Sequence, residues 1–121
     1  FPNRVSPEEF EETWGKIGNE AESLGRDPGT PAWYMTTCID NSKEKALKAA
    51  EEFLLAYYYT PFWGDSLEKW GIFGPPQALI DRINAFIAHG AKHISVRFTH
   101  KDQVSQFERF TKEVLPHLNR G

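Results

Sequence analysis

From Gly71 onward the chain reads turn, helix, stop, strand, helix, and that order restricts its fold more than any other feature. In GIFGPPQALIDRINAFIAHGAKHISVRFTH a Gly-Pro turn leads to Pro76, which opens a helix. Leu79, Ile80, Ile83, Phe86 and Ile87 recur on one face of it, and Gly90 supplies the stop. Residues 92–99 read as a strand, and Asp102 caps a last helix with Val104, Phe107, Val114, Leu115 and Leu118 facing inward. A strand reached and left through helices pairs in parallel with its neighbours by right-handed crossovers.

The first half follows the same alternation. Ser6, Pro7 and Glu9 form a capping box with proline at the first helical position. Phe10, Trp14, Ile17, Ala21 and Leu24 then line one helical face until Gly25, and RDPGTP is a turn cluster. Residues 32–39, AWYMTTCI, form a strand whose two faces both carry uncharged groups, as in a strand covered on both sides. Asp40, Asn41 or Ser42 caps the next helix, which runs to about Tyr59 with Ala46, Ala49, Ala50, Phe53, Leu54 and Tyr57 inward. The stretch from Thr60 to Pro76 is irregular, with one short helical turn at residues 66–70. The opening FPNRV reads as the end of a further strand.

Composition excludes several classes. A formal net charge of −3 argues against a nucleic-acid footprint, which needs a basic patch. No run of about 18 apolar residues is present, so no membrane-spanning helix is expected. The single cysteine, Cys38, rules out an internal disulfide and fits a reducing, cytoplasmic setting. His89 and His93 straddle Gly90 and share no helix face, and no zinc spacing, GxGxxG or Walker loop occurs. The only methionine is Met35 and the chain opens at Phe1, so upstream sequence is expected to precede it.

Element counting exposes a physical difficulty. Four helices accompany two strands, and a two-stranded sheet is marginal in water with both edges open. An eight-stranded parallel barrel takes roughly 250 residues. The fold class expected is therefore α/β, the C-terminal portion of a (β/α)8 TIM-type barrel, incomplete in this chain. Residues 1–121 form a single partial domain, completed by an upstream barrel segment or by another copy of the chain in a homo-oligomer.

The ordered set SPEEFEETWGKIGNEAESLGRDP, a strand, a helix ending FLLAYYYTPF, then EKWGIFGPPQALIDRINAFIAHGAKHISVRF and FERFTKEVLPHL resembles the C-terminal part of bacterial luciferase-like flavin monooxygenases. That group includes alkane and alkanesulfonate monooxygenases, and also reductases and dehydrogenases that use a deazaflavin coenzyme. The resemblance covers essentially the whole chain. Gln77 and Ala78 depart from it, standing where the family usually has acidic residues. It implies that residues 32–39 are barrel strand seven, residues 92–99 strand eight, and residues 57–74 a variable insertion beside the substrate entrance. It further implies a flavin-dependent monooxygenase using FMN on a small organic substrate, with a deazaflavin-dependent reductase or dehydrogenase as the alternative. Most cofactor contacts would then come from strands upstream of Phe1, and the chain alone would be inactive. A self-associating fragment with a structural role is the remaining alternative.

Barrel chemistry sits at the C-terminal ends of the strands. Arg97, Thr37, Tyr58 and Trp63 are the candidate substrate-binding residues. The Arg97 fork suits a structural salt bridge to a neighbouring carboxylate, with a bound phosphate, sulfonate or carboxylate as the alternative. His100 is a donor to flavin or substrate, or a solvated loop residue. The aromatics Tyr57, Tyr58, Tyr59, Phe62, Trp63, Trp70 and Phe73 read as an apolar gate or as a packed loop. Cys38 reads as a small buried group. No catalytic residue and no metal ligand is assigned.

Overall fold

A computed structural model of the chain describes residues 6–58, 67 and 71–119. The elements run α1 (Pro7–Ser23), β1 (Ala32–Ile39), α2 (Lys43–Tyr58), β2 (Gly71–Gly74), α3 (Pro76–Ala88), β3 (His93–Phe98) and α4 (Gln103–Glu113), closed by a 3-10 turn at Leu115–His117. The opening FPNRV and most of the expected helical turn at 66–70 lie outside the described residues, Leu67 excepted.

Among the described residues the sheet has three strands in the order β2-β1-β3, all parallel. β1 pairs with β3 from Ala32↔His93 to Thr37↔Phe98 and with β2 from Thr36↔Gly71 to Ile39↔Gly74. The third strand corrects the reading of Gly71–Gly74 as turn. Four residues beside Pro75 are too short a run to show a strand period. The backbone makes the pairing possible: a Cβ on Gly71 would stand 1.9 Å from the Thr36 carbonyl oxygen. Only glycine permits that approach.

Alternation along the strands separates two faces. Trp33, Met35 and Ile39 turn to one side, where they pack with Phe10 of α1, with Leu79, Ile83 and Phe86 of α3, and with Val114. Ile94, Val96 and Phe98 extend this face across β3. Trp33 stacks on Phe86 with centroids 3.5 Å apart, and Phe10 meets the same ring edge-on at 5.7 Å. On the other side Cys38 and Phe73 pack under Ala46, Ala50 and Leu54 of α2, with Leu67 beside them. Helices on both faces follow from the strand order. The step from β1 to β2 and the step from β2 back past β1 to β3 run in opposite directions, so right-handed crossovers put α2 and α3 on opposite sides.

The capping box at α1 forms as the sequence predicts: Ser6 Oγ accepts from the Glu9 amide at 3.1 Å, and a Glu9 carboxylate oxygen accepts from the Ser6 amide at 3.5 Å. Asp102 caps α4 by accepting from the Ser105 amide. The inward face of α4 differs from expectation. Val104 and Phe107 are exposed, at 68% and 59%, whereas Gln106 is buried and Phe110 packs edge-on against Phe98 at 5.7 Å. The reason is the position of β1. Ile39 extends beyond the paired part of β3, and the Gln106 amide fills the vacant lane. Its Oε1 accepts from the Ile39 amide at 2.8 Å and its Nε2 donates to the Ile39 carbonyl at 3.0 Å. That polar anchor sets the rotation of the helix and turns Phe107 outward. In α1, Ile17 and Leu24 are likewise more exposed than their spacing predicts.

Two substitutions check this placement. Phe107→Asp should leave the denaturant midpoint nearly unchanged, within about 0.5 kcal/mol, as at other exposed positions. Gln106→Leu should destabilise by about 2–4 kcal/mol, because it strips both partners from a buried backbone unit. A large loss for Phe107→Asp, or none for Gln106→Leu, would contradict the orientation of α4.

Candidate functional site

All three strands are parallel, so their C-terminal ends gather at one edge of the sheet, and α2, α3 and α4 all begin there. Helix N-termini offer unpaired amides and a positive dipole end. Two of the three are capped from within. Ser42 Oγ accepts from the Lys45 amide at 3.3 Å at the start of α2, and Asp102 serves α4. α3 differs: Pro75 is its N-cap and makes no side-chain bond, Pro76 follows, and the first turn holds no acid. Gln77, in a place where an acid would cap, donates instead to Asp81 at 2.8 Å. Beside this start a cleft of about 270 Å³ runs along β2, with Lys43, Ile72, Pro75, Ala78 and Arg82 in its walls.

The polar groups at this edge are closely tied to backbone. Thr37 is buried and donates to the Ile72 carbonyl at 2.6 Å, joining β1 to β2 by a side-chain bond. Thr99 donates both its amide, at 2.8 Å, and its hydroxyl, at 3.1 Å, to the Thr37 carbonyl. The Asp40 amide donates to the Gly74 carbonyl at 2.9 Å. Gln103 Nε2 donates to the carbonyls of Phe98 and His100 at 2.8 and 2.6 Å. Arg109 bridges Asn41 and Glu113, linking the end of β1 to α4. The loops after β1 and β3 are thereby tied to neighbouring backbone and side chains.

The candidate residues fall into separate places. Arg97 sits on the α2 side of β3, half-buried, with its guanidinium carbon 5.7 Å from the Tyr34 ring centroid and 5.8 Å from that of Tyr57. These are cation–π distances. Thr37 is committed to Ile72 as described. Tyr58 ends α2, and its side chain, like Trp63 and the remaining aromatics Tyr59, Phe62 and Trp70, lies outside the described residues. Phe73 is buried and Tyr57 exposed, so those two aromatics do not share an environment. Residues that sequence reasoning missed are Gln106 and Gln103. Buried glutamine on an amphipathic helix has no spacing signature, since only its backbone partners reveal its role.

Cys38 is fully buried. Burial first, and the Asp40 carboxylate second, push its thiol from an ordinary 9.0 up to about 11. It is therefore protonated at neutral pH and no nucleophile. Among the described residues no group of three or more His, Cys, Asp or Glu stands close enough to hold a metal ion. His89 Nδ1 lies 2.8 Å from the Ala85 carbonyl oxygen, and its Nε2 faces Glu11 at 3.8 Å across the α1–α3 contact. No described helix is long and apolar enough to cross a membrane.

No family model matches the chain, and no curated protein matches it. Solved structures do. The coenzyme F420-dependent tetrahydromethanopterin reductase from Methanopyrus kandleri superposes with a TM-score of 0.69 at 23% identity, covering 96% of this chain and 44% of its own. An F420-dependent secondary alcohol dehydrogenase, solved with an F420–acetone adduct, gives 0.71 at 18% identity, covering 97% and 42%. The chain thus spans less than half the length of either. At these identities the likeness speaks to fold: the chain is a parallel α/β piece matching part of larger barrel enzymes.

The Cys38 environment makes a prediction about alkaline pH. The unfolded thiol releases its proton near its ordinary value, while the native thiol holds it to about 11. Native protein binds more protons in that window, so stability should fall as pH rises from about 9 to about 11. Denaturant midpoints at pH 8.5 and 10.5 should separate less in Cys38→Ala than in the unmodified chain. Equal separation would mean the thiol is not held protonated.

Proposed function

We propose that this chain forms part of a deazaflavin-dependent oxidoreductase built on a parallel α/β barrel. The observation that carries the reading is the agreement of nearly the entire chain with two structures that both use coenzyme F420. The sequence resemblance to luciferase-like enzymes points to the same group of barrels. Within that group, these likenesses favour the deazaflavin alternative and lend nothing to FMN or to monooxygenation.

The residues present fit one part of such a cofactor. The uncapped start of α3, with Lys43 and Arg82 in the adjoining cleft, suits the anionic tail of a deazaflavin coenzyme. When bound, the deazaflavin supplies hydride transfer to or from a small organic substrate. The chain's part is positional. Thr37, Thr99, Gln103 and Gln106 fix the loops at the sheet edge, so groups presented there need little reorganisation. Arg97 and its two tyrosines hold α2 against β3. Most of the wall around the cofactor ring would then come from elsewhere in the assembled barrel.

Fluorescence titration of the natural polypeptide carrying this sequence separates the readings. F420 should be quenched saturably, with FMN binding at least about tenfold more weakly, a difference of about 1.4 kcal/mol. Saturable FMN binding with oxygen consumption would restore the monooxygenase reading. Binding of neither cofactor, with a self-associated assembly in light scattering, would favour a structural role.

A further inference from the structure

Donor side chains at the strand ends mostly serve backbone carbonyls: Thr37, Thr99, Gln103 and Gln106 all do so. His100 does the reverse. Its Nδ1 lies 2.9 Å from the Asp102 amide nitrogen. A backbone N–H only donates, so Nδ1 is the unprotonated acceptor and the neutral ring carries its proton on Nε2. The loop that holds the ring is fixed from several sides. Thr99 is bonded to Thr37, Gln103 bonds the His100 carbonyl, and Asp102 caps α4. The ring is half-buried, and among the described residues Nε2 has no partner. An oriented donor thus stands at the end of a parallel strand, at the edge where barrels and open α/β sheets take their ligands.

We infer that the His100 Nε2–H donates a hydrogen bond to a ring carbonyl oxygen of the bound deazaflavin. The inference rests on the deazaflavin reading and gives that site a named contact. An uncharged acceptor suits the place better than an anion. Asp40 follows the neighbouring strand, Asp102 lies two residues on, and Lys101 offsets only one of these charges. The Asp102 amide occupies His100 Nδ1, so the ring presents its Nε2 side to a ligand at this edge.

Two substitutions separate this role from that of a loop latch. In His100→Asn the amide oxygen occupies the place of Nδ1 and can still accept from Asp102, but nothing reaches where Nε2 stood. In His100→Gln the amide reaches the place of Nε2, while the latch to Asp102 is lost. The measurement pairs F420 fluorescence quenching with thermal melting, both on the natural polypeptide that carries the chain. His100→Asn should melt with the unmodified protein and bind F420 about tenfold more weakly, as for loss of one neutral hydrogen bond. His100→Gln should melt lower and lose less affinity than His100→Asn. If His100→Asn binds F420 as tightly as the unmodified protein, the ring serves only the loop and the inference fails. If affinity falls only in step with melting temperature across both variants, it fails likewise. An unmodified protein that does not bind F420 removes the deazaflavin reading and this contact with it.

Discussion

The structure depends on β1 having a hydrogen-bonding partner along both edges. On one side β3 pairs with it from Ala32 to Thr37, and on the other β2 pairs with it from Thr36 to Ile39. The last step on the β3 side is supplied by the Gln106 amide at Ile39. A buried strand with unmatched amides and carbonyls is costly, so every element that touches β1 is placed by this requirement. α3 must cross the sheet to deliver β3, α4 must turn Gln106 inward, and Gly71 must lack a side chain to approach Thr36. The apolar clusters on the two faces then cover a scaffold whose register is already determined.

The regular parts of this arrangement were legible because they have local signatures. The Ser6–Glu9 box, the Pro76 start and the Gly90 stop follow from backbone chemistry within a few residues, and the structure has each of them. The two-faced apolar character of AWYMTTCI announced a central strand, and Met35, Cys38 and Ile39 are buried on opposite sides of it. β2 was hidden for the converse reason. Its four residues adopt strand geometry only because Thr36 to Ile39 are beside them, a long-range condition that no window of sequence contains. The misassigned face of α4 has a similar origin. Phe107 has the spacing of an inward residue, yet two hydrogen bonds from Gln106 outweigh the burial of one phenyl ring when the partner is an otherwise unpaired strand end.

The site was less legible than the fold. That the C-terminal ends of the strands matter follows from topology, but the role of each side chain there depends on its bonding partner. Thr37 looked like a ligand contact because of its position, and in the fold its hydroxyl ties β1 to β2. Arg97 looked like half of an ionic contact, and the fold adds two tyrosine rings within cation–π distance of its guanidinium. His100 looked more like a solvated loop residue or a helix cap than a donor. What distinguishes it is the direction of one hydrogen bond, from a backbone amide to Nδ1, which determines where the ring proton resides.

These features bear on what a piece of a barrel contributes to chemistry. Hydride transfer requires the reacting atoms to be held close and aligned, and the organic cofactor carries the reaction itself. The three described strands make no enclosed mouth, which in an eight-stranded barrel is ringed by all the strand ends. They do, however, make one sector of such a rim. Its loops are pinned by side-chain bonds to backbone, one helix start is left open beside two cations, and its cysteine is kept protonated and inert. Under the proposed deazaflavin reading, a sector built in this way would hold the cofactor in position while taking no covalent part in the reaction.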